Sequence, residues 1–108
     1  MNLDRIVGER DELYISAISL YELEYGATRA GRSSDLSQFQ QALQPIVLPM
    51  GKAEAQRAAR LNGALARKNQ QIGPQDALIA ATALQNNLSL LTLNVEEFKR
   101  VPGLDLME

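Results

Sequence analysis

The sequence predicts an α/β fold in which a short parallel sheet is covered by helices on both faces. Two segments, residues 13–18 and 88–93, are apolar almost throughout, and helix-favouring segments separate them. Strands of this kind are typical of parallel sheets buried on both sides. The 108 residues suffice for one domain, and 45% hydrophobic with 22% charged residues argues against disorder and coiled coil.

The absence of certain residue types restricts the chemistry of any active site. The chain has no Cys and no His. This excludes Ser-His-Asp and Cys-His nucleophile systems, imidazole bases, disulfides, zinc knuckles and iron–sulfur sites. If the chain is an enzyme, we expect carboxylates to carry the chemistry, together with a hard divalent cation.

The charge balance is close to neutral, with 11 Lys and Arg against 13 Asp and Glu. A dedicated nucleic-acid binder usually has a clearly basic balance, so any nucleic-acid contact is expected to be local or transient. No segment approaches the roughly 18 apolar residues of a membrane span, and the first residues form no apolar leader. We therefore expect a cytoplasmic protein with no membrane association.

Local signals divide the chain into alternating strands and helices. Ser19 and Glu22 have the S-x-x-E spacing of a capping box and predict a helix start after the first strand. Gly73-Pro74 predicts the start of a helix that is apolar on nearly every side. The predicted elements are a short helix around residues 3–7, a strand at 13–18, a helix from 19 to about 31, a helix from 33 to 43, a strand at 46–48, a helix from 52 to about 68, a helix at 74–85, a strand at 88–93, a short helix at 96–98 and an edge strand at 104–107.

Three polar residues are expected at the edge of the sheet where parallel strands end, which is where α/β proteins bind ligands. Glu22 follows the first predicted strand, Asn94 follows the strand at 88–93, and Asp76 lies in the first turn of a buried helix. Each residue also has an ordinary structural interpretation. Glu22 would complete the Ser19 capping box, Asp76 would be an acid that the helix dipole stabilises in the first turn, and Asn94 would cap the helix that follows it.

The helix that carries Glu22 has two further features of interest. Arg29 and Arg32, near its end, could reach an RNA phosphate or could simply be solvated. Tyr21 and Tyr25 are four residues apart on one face, which suits packing or binding to a partner.

Three segments resemble a known family. Residues 15–27, ISAISLYELEYGA, resemble the "SxISxxELxYGA" signature of bacterial VapC-type toxins, which are PIN-domain ribonucleases. Residues 72–84, IGPQDALIAATAL, resemble the "IGxxDxxIAAxAL" segment of these toxins, and residues 90–104, LLTLNVEEFKRVPGL, resemble their closing "LVTxNxxxFxRVPGL". The segments occur in the family's order and cover most of the chain.

The resemblance implies a Mg²⁺- or Mn²⁺-dependent endoribonuclease that cuts structured RNA such as tRNA. It also implies a VapB-type antitoxin as partner and a homodimer. By their matching positions, Glu22 would be the second acidic metal ligand and Asp76 the third. Asn94 falls where many PIN domains have a fourth acid and many VapC-like members have Asn.

The chain departs from the family's pattern at its beginning. The family's first ligand is an Asp in an "LLDTN" segment at the end of the central strand, and no such segment is present. We therefore expect a single PIN-like three-layer sandwich over residues 1–108 that lacks its first, central strand. Asp4 is not expected to replace the missing ligand, because no strand precedes it. A fragment of a longer chain or an internal start would both give this pattern.

The missing strand has structural and chemical consequences. Two buried strand edges would lack partners, at roughly 1–3 kcal/mol for each unsatisfied group. Direct closure of the two neighbours, a segment exchanged with a second copy or a partner's strand could fill the gap. With Glu22 and Asp76 as the only acids, we expect an impaired nuclease. The alternative is a catalytically dead PIN remnant that binds an antitoxin or self-associates.

Overall fold

The computed structural model of the chain describes residues 4–7 and 13–107, and all structural statements below concern these residues. They form a mixed sheet of four strands flanked by helices. In chain order the elements are β1 (Arg5–Val7), β2 (Leu13–Ser16), α1 (Ala17–Arg29), α2 (Ser33–Leu43), β3 (Ile46–Leu48), α3 (Lys52–Ala66), α4 (Pro74–Gln85), β4 (Ser89–Leu91) and α5 (Val95–Phe98). The predicted α/β class and the sandwich arrangement are confirmed.

The sheet is mixed rather than parallel because β1 runs in the opposite direction to the other three strands. The strand order is β3-β2-β1-β4. β2 and β3 are parallel, whereas β1 pairs antiparallel with β2 on one side and with β4 on the other. The predicted strands β2, β3 and β4 thus run in the same direction, and the sheet is mixed because of β1, where no strand was predicted.

The central position that the family resemblance leaves vacant is occupied by the chain's own first described residues. Arg5–Val7 form a strand where a short helix around residues 3–7 was predicted, although residue 3 lies outside the described part. None of the three predicted ways of filling the gap describes this arrangement. Pairing with two neighbouring strand edges outweighs the weak helix propensity of so short a segment.

The main core lies between the sheet and the pair α3 and α4. Ile6 of β1 and Leu90 of β4 are completely buried there. α4 is buried on most sides and contributes mainly small side chains to this core, which allow close packing of the helix. Its apolar members of the core are Ala77, Ile79, Ala80, Ala81 and Ala83. On the other side, α1 and α2 form a second cluster of Leu23, Ala27, Leu36 and Phe39.

The start of α1 differs from the prediction. Ser16, the last residue of β2, is the N-cap, and its hydroxyl oxygen accepts the backbone N–H of Ser19 at 3.0 Å. The helix therefore begins at Ala17, directly after the strand, and the predicted capping box of Ser19 with Glu22 is wrong. Ser19 is instead a buried residue whose hydroxyl oxygen accepts a hydrogen bond from the Ser16 hydroxyl at 3.1 Å.

The two outer strands of the sheet, β3 and β4, have different surroundings. β3 is the outer strand on one side, and Pro45 and Pro49 stand immediately before and after it. On the other side, the predicted edge strand at residues 104–107 is reduced to a single parallel bridge between Leu106 and Leu90. Among the helices of the described ranges, none has the length and apolar character that crossing a bilayer requires.

We expect Ile6→Ala to destabilise the fold strongly, since it empties a fully buried position in the middle of the sheet. Removing a buried Ile side chain costs about 2–5 kcal/mol, and chemical denaturation would measure this loss. Val47→Ala, at a half-exposed site on β3, is the control and should cost less than about 1 kcal/mol. Equal, small losses in both variants would mean that residue 6 does not lie in the core.

The path of β1 can be tested by a disulfide, because the chain has no cysteine of its own. The pairing of Arg5 with Leu91 puts Asp4 opposite Thr92, and the two side chains are in contact. Directly opposed side chains on antiparallel strands are close enough for a crosslink with little backbone adjustment. The double variant Asp4→Cys/Thr92→Cys should form an intramolecular bond on oxidation. Non-reducing electrophoresis would reveal a crosslinked dimer if the segment were exchanged between copies.

Candidate functional site

The polar residues gather at one edge of the sheet, namely the edge formed by the ends of its strands and not by an outer strand. The strands β2 and β4 both end there, and the antiparallel β1 begins there. Asp4 precedes β1, and Thr92 and Asn94 follow β4, so the three residues lie at the same edge although most of the chain separates them in sequence. The side chains of Glu22 from α1 and Asp76 from α4 approach this edge from the two helices.

Glu22 lies in the second turn of α1, one residue before the buried Leu23. Since the N-cap is Ser16, Glu22 is not at the position of a capping-box acid, and the structural interpretation of Glu22 as a capping residue is wrong. Its side chain is largely exposed. Its pKa is raised, first by the part of the carboxyl that is desolvated and then by the negative charge of Asp4.

Asp76 occupies the first turn of α4 and is half-buried. Its pKa is raised to about 6. Burial is the largest cause, followed by the charge of Glu97, a side-chain hydrogen bond with Glu97, and the charges of Asp4 and Glu22. A helix N-terminus would by itself favour the ionised form of Asp76, so burial together with the neighbouring negative charges outweighs the helix dipole here.

Asn94 and Glu97 connect the two helices of this region. Asn94 is at the N-cap position of α5, but its side chain makes no capping bond to the backbone. Its Nδ2 donates to Glu97 Oε2 at 2.7 Å and, more weakly, to Asp76 Oδ2 at 3.4 Å. Glu97 Oε1 accepts the backbone N–H of Gly73 at 2.8 Å, just before α4 begins. Asn94 and Glu97 thus hold the start of α4 beside α5.

Glu97 is a member of the site that sequence analysis did not single out. Its pKa is lowered, chiefly by the hydrogen bond from Gly73 and then by that from Asn94, so it is the ionised partner of Asp76. A signal was present, since Asn94 and Glu97 have the N-cap to N3 spacing at which an acid turns back toward the cap residue. That spacing predicts proximity of the two side chains, although not the contact with Gly73.

Asp4 also belongs to this edge, against the sequence-based expectation. It was set aside because no strand precedes it, but a strand follows it and runs in the opposite direction. Asp4 Oδ1 accepts a hydrogen bond of 2.7 Å from the Thr92 hydroxyl. The pKa of Asp4 is raised by burial, an effect that the Thr92 bond partly offsets and the charge of Glu97 reinforces.

The donor chemistry of this edge suits a hard dication, because Mg²⁺ and Mn²⁺ prefer carboxylate oxygens. The carboxylates affect one another's pKa and therefore share one electrostatic environment. Across the ranges 4–7 and 13–107, however, no three acidic side chains stand close enough together to enclose a metal ion. Binding would thus require side-chain movement, for which the exposed Glu22 has the most freedom.

The predicted RNA-contacting residues are not brought to the acidic edge. Arg29 is the last residue of α1, about two turns from Glu22 along the helix. Arg32 lies beyond it and is paired with Asp35, with 2.7 Å between Nε and Oδ2. The proposed contact of Arg29 and Arg32 with RNA stays a prediction.

The sequence matches the family model of the PIN domain over residues 2–104. Ribonuclease VapC1 of Rickettsia felis is 37% identical over 101 residues, which are 89% of this chain and 75% of that protein. The tRNA(fMet)-specific endonuclease VapC of Shigella flexneri is 34% identical over 95 residues, covering 86% of this chain and 72% of the relative.

The fold is also similar to a solved toxin–antitoxin complex. The crystal structure of VapBC2 from Rickettsia felis, bound to a DNA fragment from its promoter, contains a chain that matches with a TM-score of 0.79 and 32% identity. The match covers 89% of this chain and 74% of that one. The chain therefore belongs to the PIN-domain family. Within that family its relatives are VapC-type proteins, so the resemblance carried by the three sequence motifs is confirmed.

The raised pKa of Asp76 predicts how stability depends on pH without metal. A carboxyl whose pKa is higher in the folded state binds more protons there, so its contribution to stability falls as pH rises from about 4 through about 6. Asp76→Asn removes this contribution and should become more stable relative to wild type across that interval. Urea denaturation in EDTA at several pH values measures the difference.

Asp105→Asn is the matched control for this measurement. Asp105 accepts a hydrogen bond from Ser89 at the opposite end of β4. A stability difference from wild type that grows with pH in Asp76→Asn and not in Asp105→Asn would belong to the acidic edge. Parallel profiles of wild type and Asp76→Asn would contradict the raised pKa of Asp76.

Proposed function

We propose that this chain is a VapC-like toxin of a toxin–antitoxin system and acts in the cytoplasm as a Mg²⁺- or Mn²⁺-dependent endoribonuclease on structured RNA such as tRNA. The observation that carries the proposal is the gathering of acidic side chains from both halves of the chain at one edge of the sheet, where the charges of Glu97, Asp4 and Glu22 add to the effect of burial in raising the pKa of Asp76. Support also comes from relatives named ribonuclease and tRNA(fMet)-specific endonuclease.

The reaction is hydrolysis of a phosphodiester bond, and the residues at the edge have separate tasks in it. Glu22 and Asp76 would hold the cation, with Asn94 as a further candidate ligand. A bound dication orients and acidifies a water and neutralises charge that develops on the phosphate oxygens. Glu97 would position Asp76, since it accepts hydrogen bonds from the Gly73 N–H just before α4 and from the Asn94 amide, which also donates to Asp76.

We expect the described residues to support only slow turnover. No three acids of the described ranges are gathered as they would be around an ion, and a metal site loses affinity when its ligands are not held in place. Part of the binding energy of the cation would therefore be used to draw them together.

A VapB-type antitoxin is the proposed partner, and a homodimer the proposed assembly. Tyr21 and Tyr25 on α1 are 60% and 55% exposed and stack with ring centroids 6.0 Å apart. Their exposure does not fit the packing interpretation of this pair, whereas exposed aromatic side chains are common in binding surfaces. The solved relative complexes, named VapBC, support a partner of this type.

A second candidate function is a catalytically dead PIN remnant that binds an antitoxin or self-associates. The absence of a three-acid cluster in the described ranges, together with the exposed tyrosine pair, favours it. It makes the opposite prediction about RNA: binding to an antitoxin would persist, while no divalent cation would produce cleavage.

The proposed activity can be tested by cleavage of a structured tRNA under single-turnover conditions with Mg²⁺, Mn²⁺ or EDTA. We expect slow, metal-dependent cleavage that Asp76→Ala reduces by about 100-fold or more, since charge stabilisation by a metal ion is worth several kcal/mol. Asp105→Asn, at the opposite edge, should retain the wild-type rate.

Two results would decide against this proposal. Equal cleavage by wild type and Asp76→Ala would place the activity elsewhere or in a contaminant. A complete lack of metal-dependent cleavage, with antitoxin binding intact, would support the remnant instead.

A further inference from the structure

The segment around α3 carries a dense positive charge. Five of the chain's 11 Lys and Arg residues lie within residues 52–68, where the only acid is Glu54. The acidic edge, with Asp4, Glu22, Asp76 and Glu97, repels the phosphates of RNA, so an RNA strand needs a positive surface elsewhere on the molecule. In a chain with a net charge of -2 such a surface must be local, and α3 has the charge for it.

An open groove of about 640 Å³ runs along α3 and is called the α3 groove below. Arg57, Arg60 and Lys68 line it, and all three side chains are exposed. Along the helix, Arg57 and Lys68 are about 16 Å apart, whereas successive phosphates of one duplex strand advance by about 3.4 Å, so the groove is long enough for several phosphates. Its apolar floor includes Leu61, Leu65 and Leu84.

The three cations of the α3 groove are available to a ligand. Within residues 4–7 and 13–107, no acidic side chain lines the groove, and neither of the ion pairs found there involves one of its cations. Arg57 donates to the neutral Gln85 side chain at 3.1 Å, which orients the guanidinium and leaves its charge uncompensated. A row of cations without a neutralising carboxylate is complementary to a phosphate backbone.

The α3 groove follows the direction of α4, whose first turn carries Asp76. In the second half of α3, the Asn62 side chain donates to the C=O of Ile72 and accepts its N–H, just before α4 begins. Gln85, the partner of Arg57, is instead the last residue of α4. The two helices are therefore antiparallel, and the groove runs from the end of α4 toward the end of the helix pair at which α4 begins.

We infer that the α3 groove binds the phosphate backbone of the RNA substrate, away from the bond that is cut. This inference rests on the proposed function, which supplies RNA as the substrate class. The uncompensated cations favour a polyanion over an apolar partner helix. The surface proposed for the antitoxin lies on α1, which packs with α2 on the other side of the sheet and leaves the α3 groove open.

Binding of tRNA without cleavage tests the inference. The dissociation constant of a fluorescently labelled, structured tRNA is measured by anisotropy in EDTA at several NaCl concentrations, for wild type, Arg60→Gln/Lys68→Gln, Lys68→Gln and Lys52→Gln. Lys52 is an exposed lysine at the other end of α3 that does not line the groove, so it is the matched control for Lys68. All three side chains are exposed, so the fold should be preserved, as circular dichroism would verify.

We expect Arg60→Gln/Lys68→Gln to bind tRNA several-fold more weakly than wild type. The slope of log K against log salt concentration should become shallower by about 0.7–0.9 for each lost phosphate contact. Lys68→Gln should show about half of this change, and Lys52→Gln should bind as wild type. Equal effects of Lys68→Gln and Lys52→Gln, or a wild type that does not bind tRNA, would overturn the inference. So would a double variant that binds tRNA as wild type and differs in molar mass by light scattering, because the groove would then be an interface between copies.

Cleavage of the same tRNA with Mn²⁺ separates this inference from the proposed function. For Arg60→Gln/Lys68→Gln, we expect the RNA concentration that gives the half-maximal single-turnover rate to rise by the same factor as the dissociation constant. If wild type cleaves and the double variant needs no more RNA, the α3 groove is not a substrate site, while the proposed function stands. If wild type binds tRNA through the groove and no dication produces cleavage, the proposed function fails and the RNA-binding groove remains.

Discussion

The whole arrangement depends on the pairing requirement of two buried strand edges. β2 and β4 each present unpaired N–H and C=O groups toward the middle of the sheet, and buried groups of this kind must find partners. β1 satisfies both neighbours with only three residues, and Ile6 at its centre is fully buried between them. Because β1 begins at the edge where β2 and β4 end, the same pairing also fixes which residue stands beside the carboxyl ends of these two strands.

The site is the place where the fold tolerates unfavourable electrostatics. Four carboxylates share one edge, and the burial of Asp76 together with the charge of Glu97 raises the pKa of Asp76. Two neutral donors, the Gly73 N–H and the Asn94 amide, stabilise Glu97 in its ionised form. The hydrogen bonds to Glu97 thus partly offset the repulsion among the carboxylates and help to keep the cluster compatible with folding.

Sequence reasoning succeeded where local chemistry fixes an element. Pro74 sets the start of α4, Pro45 closes the segment that follows α2, and both helices have the predicted bounds. It failed at α1, because Ser16 and Ser19 are both suitable caps three residues apart and only the length of β2 decides between them. The strand β1 could not be predicted, since nothing within residues 5–7 requires a strand and it forms because the edges of β2 and β4, far away in sequence, need partners. The rule that ligands gather at the carboxyl ends of strands predicted that Glu22, Asp76 and Asn94 lie near one another, as they do, but it presumes parallel strands and therefore does not place Asp4 there.

The two prolines that flank β3 affect how this strand can pair with another molecule at high concentration. It is the open margin of the sheet, and Ile46 and Val47 are half-exposed there. An apolar margin of this kind invites intermolecular β-stacking, yet prolines on both sides cannot donate to a growing ladder and confine it to three residues. We therefore expect β3 to offer a second chain too few backbone hydrogen bonds for stable intermolecular pairing, although its aliphatic side chains are exposed.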